Sequence, residues 1–131
     1  MKTKLFLTLV FVLSLPFLSL AQEGTGLIVD DIQICTSITD RQPAGADSNF
    51  SKDVGRLYCF TKLSGGQGAS LSHVWYYKDK EALKVELTSK AKTWRTWSEK
   101  KILPAGTGEW RVDVQSSDGK VVATKSFTVR E

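Results

Sequence analysis

The sequence is poor in the residues on which most enzyme chemistry depends. Its 131 residues include one histidine, two cysteines and one methionine. It has no Gly-x-Ser-x-Gly or His-Glu-x-x-His motif, no phosphate-binding loop and no dinucleotide-binding fingerprint. Two widely separated thiols and a single histidine also make a poor zinc site. These absences argue against the common hydrolase, metalloprotease and nucleotide-binding classes, and we expect no catalytic set, no metal and no cofactor.

The one long apolar run lies at the N-terminus. Leu5–Leu20 follows the basic stretch Met1–Lys4 and leads into Ser19–Ala21, where small residues fit a cleavage site. This pattern predicts a secretory signal peptide at residues 1–21 and a single domain at residues 22–131, periplasmic or secreted. The alternative is an uncleaved membrane anchor, but the run is short for a span of about 20 residues. We therefore expect no stable membrane span after cleavage.

The net charge of the chain is small as well. Lys2 and Lys4 leave with the signal peptide, so the formal net charge falls from +4 to +2. A field this weak does not indicate a nucleic-acid partner. The later lysines form either a basic stripe for an anionic lipid or polysaccharide, or a solvated edge that lysine protects from pairing with other chains. These lysines are Lys78, Lys80, Lys84, Lys90, Lys92, Lys100 and Lys101.

Apolar and polar residues alternate with a period of two through the rest of the chain. The clearest case is the closing hairpin Gly108–Val129, where Trp110, Val112 and Val114 share one face and Asp118–Gly119 forms the turn. Earlier strand candidates are Leu27–Ile38, Arg56–Leu63, Leu71–Lys78, Leu83–Thr88 and Trp94–Ile102. No stretch has an apolar stripe at helical spacing. The pattern predicts an all-β fold, an immunoglobulin-like antiparallel β-sandwich of about seven strands.

The two cysteines have a simple interpretation in an exported protein. Cys35 and Cys59 lie within neighbouring strand candidates, and their number is even. In an oxidising compartment this predicts a Cys35–Cys59 disulfide.

Aromatic residues provide the candidates for a binding site. On an extended strand Trp94 and Trp97 point to opposite faces, so we expect one of them to be partly exposed beside Arg95. An exposed tryptophan near an arginine can stack on a sugar, a peptide or an aromatic ligand. The alternative is that both tryptophans cover the edge and end of a small sandwich. By the same alternation, Trp75 and Trp110 belong to the core.

The third strand candidate carries two further candidates, His73 and Tyr76. His73 shares the inward face of Trp75, which favours a hydrogen-bonded, semi-core histidine over a base or ligand. Tyr76 faces away from that core. The complete set of candidates for ligand or partner binding is Arg95, Trp97, Trp94, His73 and Tyr76.

An ordered set of motifs runs through the chain: Ile34–Thr36, Asp40–Pro43, Leu57–Thr61, Ser72–Tyr77, Trp94–Ser98, Gly108–Val114, Asp118–Lys120 and Phe127. This set resembles a bacterial domain-of-unknown-function family of small exported sandwich domains. The resemblance implies the sandwich fold and export to the cell envelope, and it brings no activity with it. Within the motifs, His73, Trp75, Arg95, Trp97, Trp110 and Arg111 are either a shared framework or a shared surface.

Two functions fit these observations. The first is a non-catalytic binding or interaction module of the bacterial envelope, whose partner is an envelope protein or a glycan. The second is a small hydrolase-type enzyme that uses His73 with a nearby carboxylate or with Ser98. A concave pocket around His73 would favour the enzyme, and an aromatic surface patch would favour the binding module.

Overall fold

A computed structural model describes residues 26–131, and every regular element in that range is a β-strand. The strands are β1 (Ile28–Cys35), β2 (Ser37–Thr39), β3 (Gln42–Ala44), β4 (Asn49–Ser51), β5 (Arg56–Ser64), β6 (Ser70–Tyr77), β7 (Lys80–Thr88), β8 (Thr93–Lys101), β9 (Gly108–Ser116) and β10 (Val121–Arg130). Within this range there is no helix that could span a membrane. The predicted signal peptide at residues 1–21 lies outside the described residues.

Two sheets pack face to face around the core. The smaller sheet has the order β1-β5-β8, and the larger has the order β4-β10-β9-β6-β7. In immunoglobulin lettering these are strands A, B and E facing strands A′, G, F, C and C′. The predicted all-β, immunoglobulin-like sandwich is therefore confirmed. β2 and β3 form a separate hairpin beside the smaller sheet.

The structure adds short strands between the first two strand candidates, where the sequence pattern indicated no strand. β3 and β4 lie within residues 40–55, and β2 takes Ile38 out of the first predicted strand, which ends at Cys35. β4 also pairs with β10 in parallel, from Asn49 opposite Thr128 to Ser51 opposite Arg130. The larger sheet is therefore mixed, whereas the sequence pattern predicted antiparallel pairing throughout.

The tightest turns are built without glycine. Asp40 and Arg41 connect β2 to β3 with φ of 52° and 60°, and Lys78 and Asp79 connect β6 to β7 with φ of 47° and 65°. Positive φ at both central residues is the type I′ geometry that suits twisted hairpins, although L-residues other than Asn and Asp rarely adopt it. Of the predicted Asp118–Gly119 turn, only Gly119 has positive φ, 82°.

Tryptophan and phenylalanine rings fill the space between the sheets. Trp75 and Trp110 are both buried, as the alternation predicted. Phe127 packs between them, with ring centroids 6.1 Å from Trp75 and 6.0 Å from Trp110. The indole N–H of Trp110 is satisfied by the carbonyl of Gly106 at 2.8 Å, so this large ring is buried with no unpaired donor.

The predicted Cys35–Cys59 disulfide is absent, and both thiols are free and buried. Cys59 pairs with Ile34 in the β1–β5 ladder, whereas Cys35 pairs with Tyr58. Because paired residues of antiparallel strands share a face, Cys59 points into the core and Cys35 points to the outer side of the sheet. The two side chains therefore diverge. Burial raises the pKa of each thiol and keeps it in the unreactive protonated form.

Candidate functional site

Strand β8 carries three of the predicted site residues, Trp94, Arg95 and Trp97. Trp94 pairs with the core residue Leu63, so it points inward, while Arg95 and Trp97 point to the outer face. The expected opposite-face arrangement is confirmed. Both tryptophans are half-buried, so the exposure that was expected of one ring is shared by two.

The β2–β3 hairpin places Arg41 against this strand. The guanidinium of Arg41 donates a hydrogen bond of 2.9 Å to the carbonyl oxygen of Arg95. Its central carbon lies 5.0 Å from the ring centroid of Trp94 and 5.6 Å from that of Trp97, within the range of cation–π attraction. Arg41 thus reaches around the edge of β8 and contacts a ring on each face of the sheet. We call Arg41, Trp94, Arg95 and Trp97 the β8-edge cluster.

Sequence reasoning missed Arg41 as a site residue. It lies between the first two strand candidates, and its partner Arg95 is 54 residues away. The positive φ of Asp40 and Arg41, at a turn without glycine, is visible only in the structure. A strained conformation of this kind persists only where the surroundings hold it, and it often marks a functional position.

The surface around the cluster is rich in unpaired cations. Lys62 lies directly opposite Arg95 in the β5–β8 ladder, a like-charge pair that costs stability. Asp31 lies opposite Lys62 on the other side. None of Arg41, Lys62 and Arg95 forms an ion pair with a residue in the range 26–131. An anionic partner would therefore find these three cations without a carboxylate partner.

One edge of β8 has no neighbouring strand among the described residues. The backbone N–H and C=O groups of the even-numbered residues point toward β5. Just after the strand, for example, the N–H of Ile102 donates to the carbonyl of Gly55. The odd-numbered groups therefore face outward. Two of these outward carbonyls are capped by cationic side chains: Arg95 by Arg41, and Lys101 by the ammonium of Lys100 at 2.9 Å.

His73 is fully buried and joins a hydrogen-bond chain between the sheets. The indole N–H of Trp75 donates to the hydroxyl of Ser98 at 3.0 Å, and Ser98 lies 2.7 Å from Nδ1 of His73. Nε2 of His73 lies 3.2 Å from the hydroxyl of Thr61, which donates to the carbonyl of Thr96 at 3.2 Å. Every donor finds one acceptor if His73 is neutral with its proton on Nε2.

This environment suits a structural imidazole. Burial lowers the pKa of His73 from 6.5 to about 4. In the part of the chain that the structure describes, no carboxylate hydrogen-bonds to the ring, and Ser98 is only 4% exposed. A bound substrate would have no path to either side chain without separation of the sheets.

Tyr76 lies far from β8, on the outer face of the larger sheet. Its ring lies under the guanidinium of Arg111, 4.1 Å from centroid to central carbon. Arg111 forms ion pairs with Asp79 and with Asp113, the latter at 3.4 Å. Tyr76, Asp79 and Arg111 line a cleft of about 220 Å³ together with Glu109 and others. The structure therefore brings Trp94, Arg95 and Trp97 together and leaves His73 and Tyr76 in separate places.

The described residues contain no group of three or more histidine, cysteine, aspartate or glutamate side chains placed to hold a metal ion.

Residues 69–129 match the model of a family described as a protein of unknown function (DUF2914). This match spans β6 to β9 and most of β10, and over these residues it confirms the resemblance to a domain-of-unknown-function family. The three cluster residues on β8 lie inside the match, whereas Arg41 lies outside it. No curated protein matches the chain.

Proposed function

We propose that this domain is an exported, non-catalytic interaction module of the bacterial cell envelope, and that it captures a protein or glycan partner through the β8-edge cluster. The location follows from the predicted signal peptide. The binding role follows from the cluster itself, and the observation that carries it is Arg41. An exposed arginine at positive φ spans two half-buried indole rings and caps a carbonyl on an open strand edge.

The residue types support this role. Tryptophan and arginine are the side chains that most often dominate the energetics of interfaces, because they combine large contact area with directional bonds. In the cluster, two tryptophans and two arginines lie within one short stretch of surface. Half-buried rings are also held in place before a partner arrives, which lowers the entropy cost of binding.

The alternative of a hydrolase that uses His73 has less support. His73 and Ser98 lie 2.7 Å apart, as a base and a nucleophile would. However, the imidazole is 0% exposed, and its other nitrogen contacts Thr61 where a triad would have an orienting carboxylate. The pair is better explained as a polar bridge between the two sheets.

The proposal is tested by capture of partners from an envelope extract with the immobilised, purified protein. The double variant Arg95→Ala/Trp97→Ala is expected to lose at least tenfold of the captured material, with a melting temperature within a few degrees of wild type. Tyr76→Ala, on the other sheet, is the matched control and should capture normally.

Two results would contradict the proposal. The first is equal capture by the wild type and the double variant. The second is turnover of a substrate by the wild type that is abolished in His73→Ala while that variant remains folded.

A further inference from the structure

We infer that the partner of the β8-edge cluster is an extended acidic peptide that adds to the smaller sheet as a strand beside β8. This inference rests on the proposed function and narrows it from any protein or glycan to one kind of ligand. It follows from the open edge, the position of the tryptophans and the distribution of charge.

The edge offers hydrogen bonds that a strand can take. β8 is nine residues long, and the backbone groups of Arg95, Trp97, Glu99 and Lys101 face away from β5. A strand laid along this edge would bond with those groups, which is how peptides add to exposed sheet edges elsewhere. Among residues 26–131, the bonds to these outward groups that it must displace are the side-chain caps on Arg95 and Lys101.

The tryptophans flank this edge on both sides. Trp94 lies on the inner face and Trp97 on the outer face, and the guanidinium of Arg41 contacts both rings across the edge. Because successive side chains of an added strand also alternate between faces, one set would pack near each ring. A sugar would stack on one face of one ring and would use neither the backbone nor the second face.

Charge selects an acidic ligand and distinguishes this edge from the other two long edges, β1 and β7. β1, the opposite edge of the smaller sheet, carries two aspartates and no cationic residue. β8 carries Arg95, Lys100 and Lys101 against a single carboxylate, Glu99, which is already paired with Arg56 at 3.5 Å. β7, the long edge of the larger sheet, carries two lysines and two glutamates and has no tryptophan. A strand with glutamates would thus favour β8, where Arg41 can leave the Arg95 carbonyl and pair with a ligand carboxylate.

The inference is tested by titration of the ¹⁵N-labelled protein with a synthetic peptide of nine alternating glutamate and valine residues, capped at both ends. We expect the largest chemical-shift changes at the outward amides of Trp97 and Glu99. A lysine–valine peptide of equal length should bind at least tenfold more weakly. Two further peptides carry N-methyl groups on every second amide, one on the odd-numbered and one on the even-numbered amides. Binding should be abolished in the peptide whose methylated amides face β8 and nearly unchanged in the other.

Substitutions in the protein provide the second arm. Arg95→Glu is expected to weaken binding of the glutamate–valine peptide at least tenfold, and Arg41→Gly, which suits the turn, several-fold. Lys84→Glu on β7 is the matched charge reversal and should change the affinity less than twofold.

The inference is overturned if millimolar peptide produces no shifts at β8, if both N-methylated forms bind alike, or if the lysine–valine peptide binds as tightly. These outcomes leave the proposed function intact when the double variant still loses its partner from the extract. Capture that survives digestion of the extract with protease would indicate a glycan, and would overturn the peptide ligand alone. Equal capture by the wild type and the double variant would overturn both the proposed function and the peptide ligand.

Discussion

At the scale of single residues, His73 shows how a titratable group can serve as a neutral structural part. Its Nε2 donates to the hydroxyl of Thr61, and its Nδ1 accepts from the hydroxyl of Ser98. Each hydroxyl also forms a second hydrogen bond, which fixes the role of the ring nitrogen beside it. A proton added to Nδ1 would replace an acceptor with a donor and leave the Ser98 hydroxyl without its acceptor. Cost therefore arises both from burial of the charge and from loss of a hydrogen bond.

This arrangement predicts a loss of stability in mild acid. The pKa of His73 is lowered to about 4 in the folded protein, against 6.5 as its ordinary value. The unfolded chain thus binds more protons between these values, and the stabilisation, fully present above pH 6.5, is lost as the pH falls toward 4. The difference corresponds to roughly 3 kcal/mol in the free energy of unfolding.

Urea denaturation of the wild type and of His73→Gln at pH 7 and pH 4.5 measures this effect. Glutamine retains a donor and an acceptor but does not titrate, so the variant should lose less stability over this interval. An equal loss in both proteins would assign the acid sensitivity to other groups.

Arg41 permits a test that separates binding from folding. Glycine adopts positive φ without the cost of about 1–3 kcal/mol that other residues pay. Arg41→Gly should therefore leave the free energy of unfolding within about 1 kcal/mol of wild type, or raise it, although it removes an exposed hydrogen bond. Partner capture should fall in the same variant. Thermal or urea unfolding, combined with the extract experiment, checks both; a large loss of stability would show that the side chain serves the fold.

At the scale of elements, β8 combines a buried side with an open side. The backbone groups of its even-numbered residues bond to β5, and those of its odd-numbered residues face outward. The two edges of the strand therefore differ in solvent access. A free edge of this kind is a hazard for aggregation, and proteins commonly guard such edges with charged side chains. Arg41 and Lys100 protect the edge of β8 in this way, because their side chains bond to its outward carbonyls.

Hydrogen exchange should reveal this alternation. We expect slow exchange at the amides of Thr96, Ser98 and Lys100, and fast exchange at those of Trp97 and Glu99. Amide-resolved exchange measured by NMR on the free protein tests the pattern. Uniform protection along the strand would mean that another segment or a second molecule covers the edge.

The sequence predicted the long strands because each has enough residues to show alternation. Trp110, Val112 and Val114 are all buried where the pattern placed them. The three-residue strands β2, β3 and β4 could not be found in this way, since a period of two is not detectable over three residues. Arg41 was missed for the same reason, because its position depends on the β2–β3 hairpin.

The cysteines illustrate a second limit. Alternation along a strand does not determine the register between strands, and a shift of one residue reverses the face of every side chain. Cys35 and Cys59 were correctly placed on neighbouring strands, but Cys59 lies opposite Ile34 and Cys35 lies opposite Tyr58. The expected disulfide was wrong for this geometric reason.

At the scale of the whole molecule, Trp75 connects the two sheets. Its ring contacts Phe127 of the larger sheet, and its N–H bonds to Ser98 of the smaller one. Loss of the ring would leave both a cavity and an unpaired hydroxyl acceptor in the core.

Trp75→Ala is therefore expected to lower the free energy of unfolding by about 3–5 kcal/mol. Trp75→Phe keeps most of the ring contact but removes the N–H, and should cost about 1–3 kcal/mol. Val121→Ala, at a position that is 48% exposed, is the control and should change stability by about 0.5 kcal/mol or less. Chemical denaturation of the three variants measures these differences, and a mild effect of Trp75→Ala would show that the core repacks around the gap.

The parallel pairing of β4 with β10 has a mechanical consequence. Chain leading from the N-terminal side enters β4 at Asn49, and chain leading to the C-terminus leaves β10 at Arg130, with the paired residues in between. Once a pull between the two ends of the domain has detached β1 from β5, it would slide β4 and β10 along each other, so that the hydrogen bonds between them resist together. In an antiparallel hairpin the same pull would break the bonds one after another. A domain that holds a partner under tension would gain resistance to unfolding from this short contact.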